Sequence, residues 1–419
     1  MTCFRWVNKW ILVLSVSLLP PVALAQGHSS PKPQVTKPSF SHCPSAQLPY
    51  RAEDDALAVS QALADATLES NSASLPPSDK TTRVGVWGDS HTASGDFMFA
   101  ALQQWGISKT HVRPGLIQPA FQLSGVRLAL KRFCISEGWK TFHAQREPTP
   151  GGGFTQTFLQ LRSQTPNDFV LMDFRHPHDN VMLSQLQVHY VSHDTGRPLV
   201  MAISVDDQKE YYVNGKTDVP SLIQINSEQP FATVRLRLVS GQISIQGFAP
   251  LYAEPSSVVL DIFSTPGAMA KVWKDNEPQM VGKPYDVVIF QYGTNEAMAS
   301  DFNEYKYAKE LRRTLSIFKA LHPKARCIVI GPPVRGGISN QEKTPFNLIH
   351  QGISQAQATV AKEQGCQSWN WQASLQTKGT VQKLLSHTPP LIKLDMVHLT
   401  KEGYEFSGQA FAKMTSWKN

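Results

Sequence analysis

The chain has 419 residues, of which 41% are hydrophobic and 17% are charged, so it can bury a full core and is not a disordered polypeptide. Its length is typical of two structural units. The formal net charge of +7 is spread along the chain without a block of like charge. This pattern favours an ordinary solvated surface over nucleic-acid binding, and it is compatible with weak attraction to an anionic cell-wall polymer.

The first 25 residues have the features of a secretory signal peptide. Arg5 and Lys9 precede an apolar run from Trp10 to Leu19, and small residues follow up to Ala25. The run is too short to span a bilayer comfortably. We therefore predict cleavage after Ala25, export to the periplasm and no membrane span in the mature chain.

Two further segments precede the first predicted strand. Residues 26–50 are rich in Pro, Ser, Lys and Gln, which is typical of a spacer. From Glu53 to Glu69 the apolar residues recur at helical spacing, which predicts a packing helix.

A short apolar strand, Arg83 to Trp87, ends in Gly88-Asp89-Ser90, and a helix is predicted from Ser94 to Trp105. A strand that ends in a tight turn before a helix exposes the serine hydroxyl and aims its N–H at whatever that hydroxyl attacks. Ser90 is therefore the candidate nucleophile.

The pattern changes after about Ala120, where helical periodicity gives way to alternating or β-rich runs. Such runs lie at 169–174, 184–191, 199–205, 233–239 and 242–248, with Gly-containing turns between them. We predict an inserted β-sandwich over residues 121–255. The alternative is one large mixed sheet, but parallel pairing needs crossover helices that this stretch lacks.

Helices and strands alternate again from Ser257, which predicts a parallel sheet flanked by helices. The predicted strands are 258–263, 286–292, 326–330 and 366–371, and the predicted helices are 268–274, 304–321, 346–363 and 401–417, with Thr400 as a helix cap. Sites in such sheets gather at the carboxyl ends of the strands.

Four cysteines follow the predicted cleavage site: Cys43, Cys134, Cys327 and Cys366. An even number in an exported chain suggests disulfides, with three possible connectivities. We favour Cys327 with Cys366, because both begin predicted neighbouring strands. No pair has the CxxC spacing of a metal site, so no metal is expected, and since the sequence has no cofactor motif, no cofactor is expected either.

Three more polar blocks lie at strand ends or before the last helix. His398 can take the Ser90 proton, and Asp395, three residues earlier, can orient the imidazole. The N–H groups of Ser90 and Gly267 and the side-chain amide of Asn295 can hold a developing oxyanion. Gly115 and the Gly151–Gly153 run remain alternatives to Gly267, which we prefer because it follows a strand and opens a predicted helix.

These blocks stand in the order typical of the SGNH (GDSL-type) hydrolase family, which the chain resembles over about residues 82–120 and 256–417. The matching blocks are Gly88-Asp89-Ser90, Gly267, Gly293-Thr294-Asn295-Glu296 and Asp395-x-x-His398. The resemblance implies a three-layer α/β/α fold with a flavodoxin-like sheet. We assign residues 51–120 and 256–419 to this catalytic domain.

The chain resembles the bacterial peptidoglycan O-acetylesterases of that family more closely. This likeness rests on His91-Thr92-Ala93 after the serine, on Ala297 after the Asn295 block, on Val397-His398-Leu399-Thr400, and on a sandwich between the first two blocks. It implies removal of muramic acid 6-O-acetyl groups in the periplasm, which lets lytic transglycosylases act, and an insert similar to a carbohydrate-binding module of family 35.

Two other functions stay open: an O-acetyltransferase using the same triad, and a non-catalytic wall-binding protein. For His91, a supporting role beside the site and a structural role are both considered. Asp89 and Glu296 are predicted to brace loops by accepting backbone N–H bonds. The aromatic residues of the insert are predicted to pack in its core rather than to stack on sugars; they are Trp139, Tyr211, Tyr212 and Tyr252.

Overall fold

The computed structural model describes residues 81–147, 153–299, 302–339 and 343–415. The predicted signal peptide, the spacer, the helix from Glu53 to Glu69 and Cys43 lie outside these residues.

The strands, in chain order, are β1 Thr82–Gly88, β2 Val112–Arg113, β3 Arg132–Ile135, β4 Lys140–His143, β5 Leu159–Ser163, β6 Phe169–Asp173, β7 Leu183–Val191, β8 Val200–Val205, β9 Tyr211–Asn214, β10 Ser221–Phe231, β11 Thr233–Ser240, β12 Ile243–Tyr252, β13 Val258–Ile262, β14 Val287–Gln291, β15 Arg326–Ile330 and β16 Gln367–Trp369.

Six strands form a parallel sheet in the order β16-β15-β14-β1-β13-β2. Without the short edge strand β2, this is the flavodoxin-like order 2-1-3-4-5. The order reverses between β1 and β14. In open α/β sheets, ligands bind in the crevice outside the carboxyl ends of the strands at such a switch point.

Helices cover both faces of this sheet, which makes the three layers that the sequence predicted. Alternate side chains of β14 enter separate cores: Val287 and Ile289 pack on one face, Val288 and Phe290 on the other. The helices Asp96–Gln104 and Lys401–Met414 cover the first face, and Glu304–Leu321 and Phe346–Glu363 cover the second. Burial on both faces explains why β14 is a continuous apolar run.

Residues between β2 and β13 form two five-stranded antiparallel sheets, β10-β7-β12-β5-β4 and β3-β6-β11-β8-β9. The two sheets share one apolar core, with Leu186 and Ile245 from the first and Val170 and Leu236 from the second. They therefore form a sandwich rather than an extension of the parallel sheet. Its strands run from Arg132 to Tyr252, and all described residues belong to one compact unit.

Several predicted elements have the expected bounds, among them the helices Glu304–Leu321 and Phe346–Glu363 and strand β15. The last helix is described as Lys401–Met414, and the Thr400 side chain caps it by accepting the Gly403 N–H. The predicted disulfide between Cys327 and Cys366 is confirmed. Cys134 is also disulfide-bonded.

Other predicted elements were wrong at their ends. The strand expected to reach Trp371 stops at Trp369, because the Asn370 side chain caps a helix, Trp371–Gln376. The helix expected at 94–105 spans Asp96–Gln104, and a separate one-turn helix, Ser90–Ala93, precedes it, with Gly95 at a φ of 78° before the longer helix. A further helix, Val381–Ser386, was not predicted.

None of the helices in the described part of the chain is both long and apolar enough to cross a bilayer.

Candidate active site

Ser90 begins a one-turn helix directly after β1, on a turn that β14 holds in place. The Asp89 side chain accepts the His91 N–H at 2.9 Å and so caps this helix. The Gln291 side-chain oxygen, at the end of β14, accepts bonds from the Asp89 N–H and the Thr92 hydroxyl. A Cβ at Gly88 would lie 2.6 Å from that same oxygen, so only glycine permits this approach.

The candidate nucleophile, base and carboxylate form one hydrogen-bonded line. The Ser90 Oγ lies 3.0 Å from the His398 Nε2, and the His398 Nδ1 lies 2.7 Å from the Asp395 Oδ2. In this arrangement the Nδ1–H donates to the carboxylate, which leaves the Nε2 lone pair facing the hydroxyl. The site is open to solvent, since about 38% of the His398 side chain is exposed.

A tight hairpin between the paired residues Ile392 and Leu399 presents Asp395 and His398. The second Asp395 oxygen accepts the N–H groups of Val397 and His398, each at 2.9 Å. Partial burial acts to raise the Asp395 pKa, but the hydrogen bonds from His398 and these N–H groups lower the pKa to about 2. The carboxylate is therefore ionised and fixed in orientation.

His91 lies fully buried beside this line. Its ring centroid is 5.6 Å from that of His398, and its Nδ1 is 3.2 Å from the Tyr404 hydroxyl. Burial, and then the neighbouring His398, lower the pKa of His91 well below its ordinary value, so the ring is neutral at neutral pH. His91 thus packs as an uncharged support behind the base.

The three expected oxyanion donors differ in what they bind. The Asn295 amide nitrogen donates to the Ala268 carbonyl at 2.9 Å, which leaves its second N–H for another acceptor. Within the described residues, the N–H groups of Ser90 and Gly267 have no acceptor. Gly115 is not such a donor, because its N–H bonds the Asp261 carboxylate at 2.6 Å.

One premise behind the choice of Gly267 was wrong, since Gly267 does not open a helix. The predicted helix at 268–274 instead spans Val272–Asn276, and Gly267 sits before it in a turn with φ of 80°. A non-glycine residue is strained at this φ. The Gly267 N–H is therefore placed by a left-handed turn and not by a helix terminus.

Glu296 links the two loops that carry the candidate oxyanion donors Gly267 and Asn295, as predicted. One of its carboxylate oxygens accepts the Ala270 N–H at 2.7 Å and the other accepts the Gly293 N–H at 3.0 Å. Burial raises the pKa of Glu296 to about 7. Burial likewise raises the pKa of Asp89, the other predicted brace, to about 6.

The sandwich also reaches this site, through the turn that follows β4. The Gln145 side chain donates to the Gly267 carbonyl at 3.1 Å and accepts the Met269 N–H at 2.6 Å. The His143 Nδ1 accepts the Gln145 N–H, so its Nε2 carries the proton and donates to the Thr265 hydroxyl at 2.9 Å. The sequence shows no signal for these contacts, which join residues more than 120 positions apart.

The aromatic residues of the insert that were considered for sugar stacking differ in how deeply they are buried. Trp139 and Tyr252 lie in the sandwich core, as the packing interpretation predicts, whereas Tyr211 is 41% exposed. Tyr212 packs against a small cluster around Val200. In the described part of the chain, no group of three His, Cys, Asp or Glu side chains is arranged to hold a metal ion.

Residues 240–406 match the model of the GDSL-like lipase/acylhydrolase family. The chain contains a GDSL-type acylhydrolase domain. The matched segment includes Asn295, Asp395 and His398 and begins after Ser90, which the parallel sheet brings to the same edge. The acylhydrolase domain makes this chain an enzyme of the carboxylic ester hydrolase class.

Solved structures with a similar fold include a peptidoglycan O-acetylesterase, 17% identical, with a TM-score of 0.57; the match covers 80% of this chain and 91% of that chain. A family two carbohydrate esterase from Cellvibrio japonicus is 10% identical, with a TM-score of 0.27, over 67% of this chain and 97% of its own. A lipase/acylhydrolase from Enterococcus faecalis is 15% identical, with a TM-score of 0.28, over 39% and 80%. No curated protein sequence matches significantly.

Proposed function

We propose that this chain is a serine esterase that removes 6-O-acetyl groups from the muramic acid of peptidoglycan. The observation that carries the proposal is the line from Ser90 through His398 to Asp395, with contacts of 3.0 and 2.7 Å. The acylhydrolase family and the fold shared with a peptidoglycan O-acetylesterase support it. The open site suits an ester carried on a polymer.

In the first half-reaction, the Ser90 Oγ attacks the acetyl carbonyl carbon while the His398 Nε2 takes the hydroxyl proton. Asp395 holds the imidazolium that forms. The N–H groups of Ser90 and Gly267, with the second amide N–H of Asn295, bind the developing oxyanion. The bond from the carbonyl carbon to the sugar oxygen then breaks, and His398 returns the proton to that oxygen.

The second half-reaction releases acetate from the acetylated Ser90. Water attacks the acyl carbon as His398 accepts one of its protons, and the same N–H groups bind the second oxyanion. The bond to the Ser90 Oγ then breaks, and the proton on His398 returns to that oxygen. The exposed imidazole edge admits the water that this step consumes.

The cellular setting belongs to the proposal. The signal-peptide features of residues 1–25 support export to the periplasm. There, deacetylated glycan becomes a substrate for lytic transglycosylases, which would be functional partners. The sandwich is proposed to hold the glycan near the site, as a carbohydrate-binding module does.

The test compares acetate release from O-acetylated peptidoglycan, acetylated xylan and a long-chain ester. We expect peptidoglycan to be preferred, and Ser90→Ala to lower kcat on the order of a thousandfold or more. A preference for the long-chain ester would contradict the proposal. Acetylated sugar as the main product, with a chitooligosaccharide acceptor present, would establish acetyl transfer instead.

A further inference from the structure

Arg146 lies in the sandwich turn beside Gly267 and takes no part in the proposed reaction. One guanidinium nitrogen lies 3.3 Å from the position that a Cβ on Gly267 would occupy. The guanidinium therefore stands over the loop that supplies a candidate oxyanion donor. It brings a positive charge from the insert to the edge of the acylhydrolase site.

The base of this side chain is firmly positioned. The Arg146 N–H donates to the His143 carbonyl at 2.9 Å, which closes the turn. The neighbouring Gln145 side chain makes two hydrogen bonds with the Gly267 and Met269 backbone. These hydrogen bonds fix the sandwich turn against the loop that contains Gly267 and Met269. The backbone that carries the Arg146 side chain is therefore held in place.

The Arg146 charge has no carboxylate partner among the residues that the structure describes. Glu147, the next residue, interacts electrostatically with Arg162. The Arg146 side chain is exposed and makes no hydrogen bond to a described residue. Its N–H donors, arranged in the planar fork that matches a carboxylate, are thus available to a substrate.

We propose that Arg146 binds a carboxylate of the acetylated glycan and makes the enzyme selective for acidic substrates. This inference rests on the proposed function and names the group that the same site recognises. In peptidoglycan the carboxylate has two sources, the lactyl group of muramic acid and the attached peptide. Both present the same chemistry to a guanidinium, so the experiment separates them.

The first experiment uses the full chain and a matched pair of aryl acetates, 3-acetoxybenzoate and its neutral methyl ester. The measured quantity is the ratio of kcat/KM for the anion to that for the neutral ester. We expect Arg146→Gln to lower this ratio about tenfold, as loss of one charge-assisted hydrogen bond does, and Arg146→Lys to restore part of it. Added salt should lower the ratio in the native chain.

Arg197→Gln is the matched control, because Arg197 is an exposed arginine in a sandwich turn that makes no hydrogen bond to the site loops. Its ratio should equal that of the native chain. An Arg146→Gln ratio equal to the native value, with a native melting temperature, would overturn the assignment. Equal losses on both esters would also overturn it, because they indicate a structural role.

The second experiment measures acetate release from O-acetylated glycan strands with attached peptides, and from strands stripped by an amidase, which exposes the lactyl carboxylates. A larger loss of activity for Arg146→Gln on the strands with peptides identifies the peptide carboxylate as the group bound. A larger loss on the stripped strands identifies the lactyl carboxylate. Failure of the proposed function has a different signature: the native chain would release no acetate from either strand. Equal activity of native and Arg146→Gln chains on both strands would refute only the role of Arg146.

Discussion

Gln145 of the sandwich accepts a 2.6 Å hydrogen bond from the backbone N–H of Met269, 124 residues further along the chain. The same side chain donates to the Gly267 carbonyl. The insert thus fixes the loop that carries a candidate oxyanion donor. The insert, through its position next to the site, therefore helps to hold the backbone of Gly267 and Met269 in place.

Gln145→Ala should therefore weaken catalysis without affecting the proposed triad of Ser90, His398 and Asp395. The loop from 267 to 269 loses two hydrogen bonds, and the Gly267 N–H is then less well placed for the oxyanion. We expect kcat on an aryl acetate to fall about tenfold, with a smaller change in KM. Gln185→Ala, which removes a surface hydrogen bond within the sandwich to Asn226, is the control and should keep native kcat.

Asp395→Asn tests the carboxylate of the proposed triad. The amide keeps the shape of the side chain but cannot stabilise the imidazolium that forms at His398. We expect kcat to fall on the order of 10²-fold to 10⁴-fold, with little change in the melting temperature, because Asp395 is exposed. A kcat within a factor of two of the native value would show that Asp395 does not orient the base.

Asn295→Ala tests the side-chain donor to the oxyanion. The substitution removes the second amide N–H and also the bond to the Ala268 carbonyl. Loss of one oxyanion donor costs on the order of 10²-fold in kcat, and we expect a loss of this size. Asn295→Asp keeps the shape without a donor and should be at least as slow. Native activity in the aspartate variant would refute the assignment.

The disulfide between Cys327 and Cys366 links β15 to the chain just before β16, and its cysteines are 39 residues apart in sequence. Closing a loop of this length reduces the entropy of the unfolded chain and stabilises the fold by about 4 kcal/mol in the loop-entropy model. The double variant Cys327→Ala with Cys366→Ala should therefore melt several degrees lower in differential scanning calorimetry. An unchanged melting temperature would show that the bond does not stabilise the fold.

The strongly periodic parts of the fold were predictable from the sequence. The helix Glu304–Leu321 has a regular apolar face, and β14 is a continuous apolar run, so local pattern alone located both. The ends of β1 and β14 then bring Ser90 and Asn295 to one edge, because parallel strands share their carboxyl side, and the hairpin before the last helix carries His398 to Ser90.

Elements whose ends depend on a single polar contact were not predictable in this way. Trp371 follows Trp369 in the alternation of a strand but begins a helix, because the Asn370 side chain accepts the Ala373 N–H. The contacts of His143 and Gln145 with the oxyanion loop depend on how the sandwich docks. No local sequence pattern encodes such docking. The sequence motifs therefore did not predict that the insert supports the site.

Glu296 provides the last test, because its buried carboxyl group has a raised pKa. Burial raises the pKa of Glu296 from 4.5 to about 7, so the folded chain holds a proton that the unfolded chain releases above pH 4.5. The folded state then binds more protons between these values, and the contribution of this group to stability falls as the pH rises from about 4.5 to 7.

Glu296→Gln removes this titration and retains most of the side-chain shape. The difference in melting temperature between the native chain and the variant, measured from pH 4 to pH 8, should be largest in acid and should shrink as the pH rises towards 7. A difference that stays constant across this range, or grows with pH, would show that Glu296 is ionised in the folded chain well below pH 7.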